Sequence, residues 1–156
     1  MKTLIVYYTR TGNTNKIVDE LQAGLATDVE AITEKESRKG PLGWIRSGRQ
    51  GASKADVDIQ PLKADPSSYE LVVLASPVWA GNVSAPMRAF IKRHTGTLPK
   101  TAVFLTHDGP DASQAFEDVE ELLGRKPMAR GEASRKAIQD GGYQEAVQGF
   151  LKEIFT

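Results

Sequence analysis

The chain has 156 residues, a length typical of one domain that can bury its own core. The 20 Lys and Arg residues balance the 20 Asp and Glu residues, which indicates neither nucleic acid nor an anionic membrane as a partner. Because the chain has no cysteine and only two histidines, disulfides, thiolate catalysis and a convincing metal site are not expected. No apolar run approaches the roughly 20 residues of a membrane span, so we expect one cytoplasmic domain over residues 1–156.

Hydrophobic patterns alternate between strand and helix along the chain. Strands are expected over residues 3–8, 29–32, 71–75, 102–105 and 127–133. Helices are expected over residues 13–26, from about 84, behind 111 and over 143–154. The segment 34–60 is the least regular, and a short helix over 41–48 is weakened by its glycines. Residues 76–82 are expected to form a loop, because Pro77 and Gly81 interrupt the apolar pattern.

Two helix starts carry recognisable capping residues. Ser84 is a cap candidate two residues before Pro86, and the helix behind it would turn Phe90 inward. Asp111 and Gln114 have the spacing of a capping box. These signals support helices on both sides of the third long apolar run.

Three of the strands are apolar on both faces, as expected for a parallel sheet that helices cover on each side. The loops 9–14, 76–82 and 106–110 follow these strands. Because the carboxyl ends of parallel strands meet at one edge of the sheet, we expect the three loops to converge on a ligand site.

The segment from Thr9 to Thr14 joins the first buried strand to the first helix and is rich in hydroxyl groups. A helix N-terminus with free N–H groups suits an anion, and Gly12 gives the backbone freedom to turn there. The alternative is a turn that merely caps the helix. Neither a dinucleotide fingerprint nor a Gly-Lys-Ser/Thr phosphate loop is present. The sequence therefore favours a phosphomonoester bound mainly by neutral donors, with Arg10 as the one cation.

Two sequence strings resemble motifs of the flavodoxin family, whose ligand is flavin mononucleotide (FMN). The string Tyr8–Thr14 looks like the phosphate loop of that family. The string Ala75–Asn82 is similar to the loop that contacts the flavin ring, especially in quinone-reductase-like members with Pro-x-x-x-Gly-Asn. The segment Thr106–Gly109 stands in the place of the second loop that flanks the flavin.

The resemblance implies a three-layer αβα sandwich, an α/β flavodoxin-like fold with a five-stranded parallel sheet in the order 2-1-3-4-5. It also implies a set of FMN contacts but no catalytic residue. The phosphate would be held by side chains of Thr9, Thr11, Asn13 and Thr14 and by backbone N–H groups of Arg10 and Gly12. The ring would be lined by Pro77, Val78, Trp79, Ala80 and Gly81, with Asn82 donating to a ring oxygen or fixing the loop. The second flanking loop would contribute Thr106, His107, Asp108 and Gly109.

Several residues keep more than one interpretation. Trp79 could stack on the flavin ring or belong to the core, and His107 could be a hydrogen-bonded loop residue, a contact of the ring edge or a proton donor. The segment 40–52 could be a lid, a partner surface or a dimer contact. Packing of Leu42, Trp44 and Ile45 on the sheet is the favoured alternative.

The resulting functional hypothesis is an FMN-binding redox protein in electron transfer. Its partners would be redox proteins or a small-molecule electron acceptor, and it would be a monomer or a weak dimer. The neutral net charge and a 106–110 loop without an aromatic depart from typical flavodoxin carriers. These two departures keep open a second hypothesis, in which the protein is an enzyme, an NAD(P)H- or quinone-linked FMN oxidoreductase. A binding module that has lost its flavin is a third hypothesis.

Overall fold

Strands and helices alternate along the whole chain in the computed structural model, which describes residues 1–156. The strands are β1 (Thr3–Tyr7), β2 (Thr27–Ala31), β3 (Leu71–Trp79), β4 (Asn82–Val83), β5 (Lys100–His107) and β6 (Arg130–Ser134). The helices are α1 (Asn13–Gly24), α2 (Gly40–Ala52), α3 (Ala85–His94), α4 (Ser113–Leu123), α5 (Arg135–Asp140) and α6 (Tyr143–Phe155). None of these helices is both long and apolar enough to cross a membrane.

Five strands form a parallel sheet in the order β2-β1-β3-β5-β6. The two-residue strand β4 pairs only with the end of β3, in the antiparallel direction. Without β4 the order reads 2-1-3-4-5, so the predicted topology is confirmed. The order reverses between β1 and β3, and a ligand site is expected at such a switch point.

Two hydrophobic layers cover the faces of this sheet. Along β1, Leu4 and Val6 face one layer while Ile5 faces the other, as the alternation of side chains along a strand requires. Helices α3 and α4 contribute to the first layer, and α1 and α6 contribute to the second. The predicted αβα sandwich is therefore confirmed, and burial on both faces explains the continuous apolar runs.

The predicted loop at 76–82 is wrong in its first half, because β3 continues to Trp79. Ser76 and Pro77 extend the pairing with β5, and Trp79 then pairs with Asn82 of β4. The chain reverses over Ala80 and Gly81, which have φ angles of 50° and 85°. Both residues lie in the left-handed region, which matches a tight two-residue hairpin turn. Pairing with two neighbours thus overrides the proline in this strand.

The predicted short helix over 41–48 is a longer one, α2, with 13 residues. Its buried face consists of Gly43, Ser47 and Gly51, which recur every four residues. A Cβ atom on Gly43 or Gly51 would collide with the backbone of Arg38 or Trp79, respectively. The glycines that weaken the helix prediction are therefore the residues that allow α2 to pack closely.

The two predicted helix starts have different outcomes. Ser84 is the N-cap of α3, so this prediction is confirmed. Its Oγ accepts a hydrogen bond from the backbone N–H of Met87 at 3.4 Å. The capping box at α4 is wrong because Ala112 is the N-cap and has no side-chain acceptor. Asp111 instead accepts from the N–H of Ser113 at 2.9 Å, which lowers the pKa of its carboxyl.

Candidate functional site

The loops after β1, β3 and β5 line one cavity of about 660 Å³ at the carboxyl edge of the sheet. This volume lies in the range of small-molecule sites, roughly 300–1,000 Å³. The predicted site residues that line it are Thr9, Arg10, Thr11, Asn13, Thr14, Pro77, Val78, Trp79, Ala80, Gly81, Thr106, His107, Asp108 and Gly109. Gly12 and Asn82 do not line it, but each makes a hydrogen bond that shapes the turn or hairpin to which it belongs.

The start of α1 presents free hydrogen-bond donors to this cavity. Gly12 precedes the helix with a φ of 92°, and its N–H donates to Thr9 Oγ1 at 2.9 Å. No side chain caps α1, so the N–H groups of its first turn lack partners within the helix. The side chains of Thr11 and Asn13 also make no hydrogen bond within the chain. Backbone and side-chain donors therefore meet at the positive end of the helix dipole.

A hydroxyl pair connects this turn to the end of β5. Thr14 and Thr106 are both buried, and their Oγ1 atoms lie 2.9 Å apart. Only one of the two hydroxyl hydrogens lies between the oxygens, so the other is available to a ligand. The pair joins two of the three predicted loops in the wall of the cavity.

The side chain of Arg10 connects the same turn to the start of α2. Its Nε donates to the carbonyl of Arg38 and its Nη2 to the carbonyl of Gly40, each at 3.1 Å. Both acceptors are neutral, so no carboxylate balances the charge of this guanidinium. Arg10 thus orders the chain before α2 and keeps a positive charge at the cavity.

A buried polar cluster holds α2 against the sheet below the cavity. Glu34 accepts two hydrogen bonds from Arg38, at 2.7 and 2.9 Å, and a third from Tyr8 Oη at 2.9 Å. Arg38 Nη1 also donates to Ser47 Oγ on α2, at 3.3 Å. Burial and the neighbouring Glu34 raise the pKa of Tyr8. The sequence indicated only a charged loop here, because spacing along the chain does not reveal this convergence.

The structure favours the core interpretation of Trp79. Its side chain is buried, packs edge to face with Tyr8 at a centroid distance of 5.6 Å and lies under the Arg38 guanidinium at 4.6 Å. Although Trp79 lines the cavity, Arg38 covers one face of the indole. A flat ligand would therefore find little of this ring free for stacking.

The aromatic side chain that stands free beside the cavity is Trp44 of α2. It is 66% exposed and lines the cavity, while its neighbours Leu42 and Ile45 are 82% and 50% exposed. The predicted packing of these three residues on the sheet is wrong because α2 turns its glycine-containing face inward. The apolar face of the helix points to solvent at the edge of the site.

Asn82 fixes the β3–β4 hairpin, which is one of its two predicted roles. Its Nδ2 donates to the carbonyl of Gly51 at 2.9 Å, and its Oδ1 accepts from Gln114 at 3.2 Å. The side chain is buried and holds the end of α2 and the start of α4 to the same hairpin. Gln114 lines the cavity and makes this contact instead of the predicted capping bond.

Asp118 gives the same hairpin a second anchor. Its Oδ2 accepts from the N–H of Val83 at 3.1 Å and from the guanidinium of Arg88, and both charged side chains are buried. Lys54, just after α2, approaches Asp118 Oδ1 at 3.7 Å. Because a buried carboxylate is costly without a partner, this cluster fixes the spacing of α3, α4 and β4.

His107 is a hydrogen-bonded residue at the end of β5, as in the first of its three interpretations. Its Nδ1 donates to the carbonyl of Gly109 at 2.9 Å, and its Nε2 lies 3.4 Å from Glu132 Oε1. The imidazole is buried while it lines the cavity. Its contacts account for the shape of the 106–110 loop.

Eight residues of the cavity wall were not among the site residues predicted from the sequence. These are Trp44, Ser47, Gly48, Pro110, Asp111, Gln114, Arg135 and Ile138. The helix α5, which carries Arg135 and Ile138, was not predicted at all. Its position directly after β6 could have been inferred, because β6 is parallel and ends at the same edge of the sheet.

The sheet order and the position of the cavity define a flavodoxin-like fold. No protein-family profile matches the sequence, and no curated protein matches it. Solved structures do match. A flavoprotein from Lactobacillus acidophilus NCFM, in complex with FMN, has a TM-score of 0.70 with 20% sequence identity over 91% of this chain and 97% of that chain. A candidate flavoprotein from Bacteroides uniformis ATCC 8492 has a TM-score of 0.73 with 18% identity over 91% of this chain and 97% of that chain.

More distant matches include both functional classes that the sequence left open. A flavodoxin from Streptococcus pneumoniae TIGR4 has a TM-score of 0.56 with 14% identity, over 98% of this chain and 97% of that chain. An NAD(P)H:quinone oxidoreductase from Methanothermobacter marburgensis has a TM-score of 0.55 with 12% identity, over 97% of this chain and 94% of that chain. At these identities the similarity establishes the fold.

Proposed function

We propose that this protein binds FMN and acts in electron transfer. The observation that carries the proposal is the convergence of three loops on one cavity whose far side is the uncapped start of α1. The FMN complex of a protein with the same fold supports it. In this proposal a cytoplasmic redox protein or a small molecule exchanges electrons with the flavin.

The residues of the α1 turn fit a phosphomonoester. The free N–H groups of the first helical turn and the unused side chains of Thr11 and Asn13 supply donors. A phosphate has three terminal oxygens that accept several hydrogen bonds, so a concave set of donors suits it better than a single cation would. Thr9 and Gly12 would shape the turn, since they are bonded to each other.

The opposite side of the cavity fits a flat ring. The hairpin turn at Ala80 and Gly81 presents backbone there, and Gly109 follows from β5. Trp44 stands free on α2 and would cover one face of the ring, which was one of the two roles that the sequence left open for Trp79. A bound flavin supplies the redox chemistry, and these residues would bind it and exclude water.

The test is a titration of flavin-free protein with FMN and with riboflavin, followed by flavin absorbance and fluorescence. We expect FMN to bind and riboflavin to bind more weakly, because riboflavin lacks the phosphate that the α1 turn would hold. Circular dichroism of the same sample controls for folding. Absence of FMN binding by folded protein would refute the proposal.

A second candidate function is an oxidoreductase that acts on a small molecule. The exposed Trp44 and the open cavity beside it favour this alternative, since a substrate would need access to the ring. The net charge of zero gives no long-range steering toward a charged protein partner. The electron carrier remains our first proposal.

Anaerobic reduction distinguishes the two candidates. A carrier should accumulate one-electron-reduced flavin on photoreduction and react slowly with NAD(P)H alone. An oxidoreductase should take two electrons from NAD(P)H and pass them to a quinone. Light scattering during size-exclusion chromatography gives the oligomeric state, which we propose to be a monomer or a weak dimer.

A further inference from the structure

Arg135 places an unpredicted cation on the phosphate side of the cavity. It is the first residue of α5, is exposed and makes no hydrogen bond or ion pair within the chain. It lines the main cavity and also a smaller one of about 310 Å³ between the α1 turn and the start of α2. Arg10, Thr11 and Asn13 line both cavities with it.

Charge balance indicates what this wall can bind. Among the residues that line the smaller cavity, the charged ones are Arg10, Arg135 and Asp108. The carbonyls that accept from Arg10 leave its charge unbalanced, and Arg135 has no partner at all. The sum around the smaller cavity is one positive charge, whereas it is zero around the main cavity, which Asp111 also lines. The positive charge therefore lies beside the α1 turn, where it attracts a single phosphate group of about −1.5 to −2 at neutral pH.

The same balance argues against a separate anion site in the smaller cavity. Once a phosphate occupies the α1 turn, the local sum with Arg10, Arg135 and Asp108 becomes negative. A second anion would then be repelled. The two arginines are therefore better explained as partners of the one phosphate than as a site for another ligand.

We propose that Arg135 is a specificity-determining residue which, together with Arg10, selects a phosphorylated flavin through charge. This inference rests on the proposed FMN function and extends it from neutral donors to a cationic wall. Arg135 would act across the mouth of the cavity, where solvent and salt weaken its effect. Binding of FMN should then depend on ionic strength, whereas binding of riboflavin should not.

The test compares Arg135→Gln with Lys136→Gln in flavin-free protein. Lys136 is the next residue of α5, is also exposed and does not line either cavity. Lys136→Gln therefore changes the net charge by the same amount as Arg135→Gln, but away from the cavities. Fluorescence titrations with FMN and with riboflavin are made at low salt and at about 0.5 M NaCl, where screening is nearly complete beyond contact distance. Thermal unfolding controls for the fold of each variant.

We expect Arg135→Gln to weaken FMN binding about three- to tenfold at low salt, with a smaller effect at high salt. Riboflavin binding should stay unchanged, and Lys136→Gln should resemble the wild type. An equal effect of the two substitutions on FMN, or equal losses for both ligands, would overturn the assignment of Arg135. Failure of the wild-type protein to bind FMN would overturn the proposed function as well, so the two failures are distinguishable.

Discussion

The close packing of α2 predicts that two glycines of one helix respond in opposite ways to alanine. A Cβ atom on Gly51 would collide with the carbonyl oxygen of Trp79, whereas a Cβ atom on Gly48 would meet nothing within 4 Å. Both changes increase helix propensity, by at most about 1 kcal/mol. Only Gly51→Ala adds overpacking against backbone, which costs about 1–3 kcal/mol. The difference between the two variants therefore isolates the collision.

Urea unfolding of flavin-free Gly51→Ala and Gly48→Ala measures this difference directly. We expect the free energy of unfolding of Gly51→Ala to be about 1–3 kcal/mol below that of Gly48→Ala. For a chain of this size, the melting temperature should differ by about 2–12 °C. The carbonyl of Gly51 also accepts from Asn82, so displacement of α2 should disturb the hairpin beside the cavity. Equal stability of the two variants would refute the close approach of α2 to Trp79.

Three further predictions concern the cavity and the pH dependence of folding. Thr14→Val should weaken FMN binding by about 0.5–1.5 kcal/mol and riboflavin binding less, because the hydroxyl lost from the pair with Thr106 serves the phosphate; equal losses in titrations would contradict this. Trp44→Ala should weaken binding of both flavins by about 0.5–1.5 kcal/mol, while Trp44→Phe retains most of the affinity, and unchanged titrations of Trp44→Ala would remove this residue from the site. Burial, and then the charge of Arg93, lower the pKa of His94 from 6.5, so the unfolded chain binds more protons below that pH. Stability should therefore fall as the pH drops through about 6.5, and urea unfolding of His94→Gln should show a flatter pH dependence.

The sequence was sufficient where local pattern and tertiary structure agree. The apolar runs of β1, β3 and β5 are buried on both faces, so their composition alone indicates a parallel sheet. The order of elements then places their carboxyl ends at one edge. Most of the predicted cavity residues follow from this rule, since they come directly after these strands.

The sequence was insufficient where a long-range contact decides the conformation. Gly43 and Gly51 lower the helix propensity of α2. They are needed because the backbone of Arg38 and of Trp79 lies too close to α2 for a larger side chain. A proline often ends a strand, yet β3 pairs with β5 up to Pro77 and with β4 beyond it. The contacts of Arg38 with Glu34, Ser47 and Trp79 likewise join residues that have no shared periodicity. Each of these features depends on a contact with a residue that is distant in the sequence, and a local sequence pattern does not reveal such a contact.

The attachment of α2 explains why its apolar face can remain exposed beside the site. The pair of Arg38 and Glu34 holds the middle of the helix through Ser47, and Asn82 holds its C-terminal end through Gly51. These contacts use only the small-residue face, so they do not depend on Trp44. The indole can therefore change its rotamer as a flat ligand enters without loss of the contacts that hold the helix. A helix that is attached through its small-residue face and carries one exposed aromatic side chain thus combines a packed cavity wall with a side chain that a ligand can contact.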